Sequence, residues 1–146
     1  MDRKSWTLIA VALVLGTWYV LRFTDLGRRR DIQINVSSRP FAPGTAPGEA
    51  LPILFGLDRD WKLTRVRVVA TAGPSAPRPR PIWNLEARAG SEPIRGFRYG
   101  DSIAGMQGAG GAAAGTLMPG ETYRLELEAG RARGSVEFTP QAAGDP

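Results

Sequence analysis

Hydrophobic positions follow two regimes along this chain. From Ser5 to Leu21 the residues SWTLIAVALVLGTWYVL carry no charge, with Arg3 and Lys4 before them and Arg22 after. At about 1.5 Å rise per residue, a helix of this length sits at the short end of what crosses a hydrocarbon core of about 30 Å, and Phe23 with Leu26 extend it. The pattern predicts an N-terminal transmembrane helix over about residues 5–26. Val14-Leu15-Gly16 resembles a processing site, but Trp18 to Leu21 continue the apolar run past it, which favours a retained anchor over a cleaved signal.

After Leu26 the period changes to two, and Gly and Pro punctuate the chain every few residues. Ile32, Ile34 and Val36 alternate with Gln33 and Asn35 as a first strand. Ser37 to Gly48 is a loop. Leu51 to Leu57 reads as a short strand that Pro52 confines to an edge or a strand start. Asp58-Arg59-Asp60 is expected to turn into a longer strand from Lys62 to Ala72, with Val66, Val68 and Ala70 on one face and Arg65 and Arg67 on the other. Gly73 to Pro81 is a proline-rich connector. Trp83, Leu85 and Ala87 form a half-buried strand, and Ile94 to Tyr99 another, joined to it as a neighbour by the turn at Ala89 to Pro93. Gly100 to Gly115 is rich in Gly and Ala and reads as a loop, which leaves one sheet a strand short.

Charge changes the picture only when it is divided. Residues 1–30 hold six basic and two acidic side chains, whereas residues 31–146 hold thirteen and twelve. The excess therefore belongs to the leader, and a nearly neutral body excludes a nucleic-acid-binding domain, whose affinity rests on phosphate neutralisation. Arg28, Arg29 and Arg30 read as a juxtamembrane cluster on anionic headgroups. The expected organisation is an anchor over 1–30, one β-domain over 31–140 and a flexible tail over 141–146.

The most specific run is Leu117-Met118-Pro119-Gly120-Glu121-Thr122-Tyr123, leading into an alternating strand through Ala129. A buried leucine, a Pro-Gly turn and a tyrosine at this spacing match a tyrosine corner. The run resembles the corresponding segment of fibronectin type III domains, and Gly130 to Thr139 resembles that family's closing hairpin. The resemblance implies an antiparallel immunoglobulin-like or fibronectin type III-like sandwich of about six or seven strands, with Leu117, Pro119, Gly120 and Tyr123 as structural residues.

Candidate chemistry is sparse. The chain has no histidine and no cysteine, which removes the usual general base near neutral pH, thiol nucleophiles and the common zinc sets. Gly108, Gly110 and Ala113 satisfy a G-x-G-x-x-A spacing, but no strand and helix flank it as dinucleotide binding requires. Asp58, Asp60 and Asp101 lack the dense oxygen spacing of a calcium loop. No enzyme activity, cofactor or metal is expected. The candidate contact residues are Trp61, Lys62 and Arg65. The layout resembles small bacterial envelope proteins and implies a non-catalytic interaction or assembly module of the inner membrane. Its β-domain is expected on the periplasmic side, in contact with lipid through the helix and with another envelope protein. The alternative is a secreted or anchored carbohydrate-binding module with Trp61 as its stacking platform; a small hydrolase using carboxylates is a third, remoter class.

Overall fold

The computed structural model describes residues 3–23, 31–39, 44–73, 81–111 and 113–144. Its first element is helix α1, Arg3–Phe23, and every position of α1 whose side chain is described is exposed. The transmembrane expectation is corrected here: among the described residues, no helix is long and apolar enough to cross a membrane. The physical reason is that the purely aliphatic part of the run, Leu8–Leu15, covers only about 12 Å at 1.5 Å per residue, and Trp, Thr, Gly and Tyr dilute the remainder.

The body is all β. Its strands are β1 Ile34–Ser38, β2 Ile53–Trp61, β3 Arg65–Ala72, β4 Trp83–Glu86, β5 Ile94–Arg98, β6 Gln107–Gly108, β7 Thr122–Ala129 and β8 Ala132–Phe138. They form two antiparallel sheets in the orders β1-β2-β5 and β6-β4-β3-β7-β8. Period-two alternation turns Phe55 and Leu57, Val66 and Val68, Trp83 and Leu85, and Tyr123, Leu125 and Leu127 into one shared core. Phe55 of one sheet meets Phe138 of the other edge-on, with ring centroids 5.2 Å apart, so the sheets pack face to face as a sandwich.

Three expectations change. The Asp58-Arg59-Asp60 turn is absent: β2 runs straight through it as the central strand of its sheet, and Pro52 stands just outside the ladder. The chain reverses instead at Lys62 to Thr64, where Leu63 is fully buried. Second, β4 and β5 are not neighbours, because the segment between them crosses from one sheet to the other. Buried Ser91 fixes the crossing: its Oγ accepts Leu63 N–H at 2.9 Å and donates to the Glu92 carbonyl at 2.7 Å, while its own N–H reaches the Leu63 carbonyl. Third, the Gly- and Ala-rich segment supplies β6 at the edge beside β4 and buries Ile103 and Met106.

The chain enters and leaves the sandwich through backbone bonds. Ile32 N–H donates to the Arg133 carbonyl at 2.9 Å before β1 moves over to β2. Beyond β8, Leu51 N–H bonds the Gln141 carbonyl and Ala143 N–H bonds the Glu49 carbonyl, so residues 141–143 are held against the segment before β2. The Gly130-Arg131 turn closes β7 onto β8 with Gly130 at a φ of 61°, the left-handed value a two-residue hairpin needs at its first position.

Gly134 is where Ile32 crosses. A Cβ on Gly134 would overlap the Ile32 carbonyl oxygen and stand 2.8 Å from Ile32 Cβ. Gly134→Ala is therefore expected to cost about 1–3 kcal/mol through overpacking, read as a lower denaturant midpoint at an unchanged slope.

Candidate interaction surfaces

The loop from Ala114 into β7 is organised by Tyr123. Its ring is buried and stacks on Phe138 at 5.8 Å. The hydroxyl accepts Met118 N–H at 2.9 Å and donates to Glu121 Oε2 at 2.9 Å. Leu117 is buried in the core, Met118 is exposed, and Gly120 turns the chain at a φ of 81°. Glu121 is itself buried, folded over Gly73, whose missing side chain leaves it room. Tyr99, at the end of the strand paired with β2, makes a second such tie by donating to the Gly115 carbonyl at 2.7 Å.

Burial raises the affinity of both phenols for their protons: desolvation is the main cause for each, and the neighbouring Glu121 adds to it for Tyr123. A phenol whose folded value lies above its ordinary value of 10.0 contributes stability that is intact below pH 10 and is lost as the pH rises above it.

Trp61 ends β2 half-buried, against the core. Its Nε1 donates to Asp58 Oδ1 at 2.9 Å, and the Arg59 guanidinium lies 4.9 Å from the ring centroid. The indole bond is the first cause that lowers the Asp58 carboxyl below its usual value, reinforced by Arg59. A sugar stacking on the face that Arg59 covers must displace the guanidinium first. Lys62 is exposed in the β2–β3 turn, and Arg65 opens β3, 3.3 Å from Glu86 and 3.7 Å from Glu128. Trp61, Lys62 and Arg65 thus share one end of the sandwich, but Arg65 is spent on cross-strand pairs. Arg28, Arg29 and Arg30 lie outside the described residues.

The outer face of the larger sheet is a lattice of opposite charges set by register. Arg65 stands opposite Glu128, Arg67 opposite Glu126 and Arg124 opposite Glu137. Arg124 and Glu137 close to 2.7 Å and Arg133 and Glu128 to 3.7 Å, and the Glu137 contact raises the Arg124 value further. Water and salt screen exposed pairs of this kind, so each contributes little to stability. Between this lattice and the incoming chain lies an open groove of about 580 Å³ lined by Asp31, Glu126, Glu128, Arg133 and Ser135. Its glutamates lie within ion-pair distance of Arg65, Arg67 and Arg133. A second groove of about 400 Å³ lies between Leu51 and Pro52 on one side and Tyr99, Leu117, Met118 and Pro119 on the other. Among the described residues no three acidic side chains gather as a metal site.

Ser91, Glu121 and the Tyr99–Gly115 bond escaped the sequence reading. Ser91 and Glu121 carried one usable signal, a polar residue directly after a glycine that turns at positive φ: Gly90 and Gly120. Compared with known proteins, the chain matches no family model, no curated protein and no solved structure.

Tyr123→Phe strands the Met118 N–H and removes a donor from Glu121, and is expected to cost about 1–3 kcal/mol. Measured against pH, the wild-type midpoint is expected to fall above pH 10, and more steeply than that of the Tyr123→Phe protein. Identical slopes would show that the phenol is not held protonated by the fold.

Proposed function

We propose that the protein is a non-catalytic, membrane-tethered interaction or assembly module of the bacterial cell envelope, with its β-domain outside the cytoplasm. The observation that carries this reading is α1. Trp6, Val11, Leu13, Val14, Leu15, Trp18 and Tyr19 are each more than half exposed, and together they surround the helix. A helix that is apolar on all sides needs an apolar medium all round, which lipid supplies and a one-sided protein groove does not. Its basic flanks, Arg3 and Lys4 with Arg22, suit contact with anionic headgroups. Attachment asks only that the apolar surface be covered by lipid, so the short aliphatic run is no obstacle to it.

The sandwich is proposed to be fibronectin type III-like. In support, β1-β2-β5 and β3-β7-β8 follow the immunoglobulin-like order of strands, β4 lies beside β3, and a tyrosine tie stands at the entrance to β7. Such a sandwich, with its charges paired across the outer face, offers edges and loops for binding, which suits contact with another envelope protein.

The full chain is expected to float with phospholipid vesicles in a density gradient. Val11→Asp combined with Leu15→Asp is expected to leave it at the bottom, with an unchanged β-domain by near-ultraviolet circular dichroism. Flotation that survives the double substitution would remove α1 as the tether. In bacterial cells, a single Cys added after Pro146 is expected to be labelled by an impermeant maleimide in intact spheroplasts; labelling only after lysis would overturn the proposed side of the β-domain.

A further inference from the structure

Among the described residues the sandwich has four sheet edges, at β1, β5, β6 and β8. An exposed edge invites another strand, and folds guard against this with charge, proline, shortness or a covering segment. Three of these edges are guarded. β5 carries Arg95 and Arg98, and β6 has only two residues. β8 carries Arg133 and Glu137, with Asp31 and Ile32 laid against it. β1 reads INVSS, with neither charge nor proline, and its last four residues are exposed.

The direction of its free backbone groups follows from register. Asp58 N–H donates to the Gln33 carbonyl at 3.2 Å, which makes Gln33 and Asp58 a hydrogen-bonded antiparallel pair. Such pairs recur at every second residue. Asn35 and Ser37 therefore bond β2, and Ile34, Val36 and Ser38 turn their N–H and C=O groups outward. The far side of β2 agrees: Tyr99 N–H donates to the Ile53 carbonyl at 3.0 Å, so up to Gly56 the odd-numbered β2 residues face β5 and the even-numbered ones face β1. Val36 also shares a face with Ile34, which packs on the core, yet Val36 is 36% exposed. Among the described residues, the inward apolar row thus ends at an exposed valine beside an unfilled hydrogen-bond ladder.

We infer that β1 pairs with β1 of a second copy of this chain, antiparallel and centred on Val36, joining the two smaller sheets into one. The inference rests on the interaction-module reading and names its partner. The edge complements itself: Val36 meets Val36, Ile34 meets Ser38 and Asn35 meets Ser37, so no like charges are opposed. A two-fold pairing of this kind closes on itself and leaves no open end. The leader joins the body directly before β1, so tethering two copies to one bilayer raises the concentration of one edge at the other.

The test uses the full chain in detergent micelles, weighed by sedimentation with the detergent contribution subtracted. The wild type is expected to be a dimer. Val36→Pro removes an outward N–H and spares the bonds to β2, and Val36→Lys sets like charges face to face. Each is expected to halve the mass with an unchanged far-ultraviolet spectrum. Because the chain has no cysteine of its own, Val36→Cys is expected to form a disulfide-linked dimer on mild oxidation, and Arg95→Cys, on the guarded edge, is not. A monomeric wild type, a dimer that survives the lysine substitution, or equal cross-linking at both positions would overturn the pairing. Flotation separates this from the tether: a floating monomer refutes only the pairing, and a dimer that does not float refutes only the attachment.

Discussion

The two sheets are held in one arrangement by a continuous run of rings that passes between them. Tyr123 stacks on Phe138, Phe138 meets Phe55, Phe55 meets Phe97, and Phe97 and Tyr99 both reach Trp83, with every centroid separation between 5.1 and 5.9 Å. The run starts in the larger sheet, enters the smaller one at β2 and β5, and returns at β4. Aromatic pairs in tilted and edge-on geometry add about 0.5–1.5 kcal/mol each beyond the area they bury, and they fix orientation as aliphatic contacts do not. Changing the spacing of the sheets means breaking the run at more than one contact.

Two polar ties hold the covers on this core. Ser91 pins the crossing between β4 and β5 to the β2–β3 turn, and Tyr123 pins the loop before β7. Both satisfy backbone groups that a loop passing over a core would otherwise leave without water, at a cost of about 1–3 kcal/mol apiece. Other contacts place the described residues of Gly100 to Gly115, a segment poor in large side chains. The segment needs only Ile103 and Met106 in the core, a short ladder on β4 and the Tyr99–Gly115 bond to stay in place.

Alternation made the faces of the strands readable in the sequence. Val66 and Val68, Trp83 and Leu85, and the hairpin from Thr122 to Phe138 follow from period two and from a glycine at the turn. Alternation does not say which sheet a strand joins, and for that reason β4 and β5 read as a hairpin although they lie in opposite sheets. Turn chemistry misled at Asp58-Arg59-Asp60, where β2 continues past Leu57 with its charged residues on the exposed side. The two-residue β6 gives no periodicity at all. Of the candidate contacts, Trp61 was visible as an aromatic out of phase with its neighbours. Its engagement by Asp58 and Arg59 depends on a shift of the β2–β5 register between Gly56 and Trp61, which no sequence pattern marks.

The unguarded edge and the proposed tether are linked by one contact. Ile32 is buried against Gly134, and this close approach makes the entering chain lie along β8 before it can reach β2. Because Ile32 spends its N–H on Arg133, the bonds to β2 begin at Gln33, and that parity sends the groups of Ile34, Val36 and Ser38 outward. Shifting the crossing by one residue would turn Ile34 and Val36 away from the core and reverse which groups are free. The packing that starts the domain therefore also decides what its first strand offers to a partner.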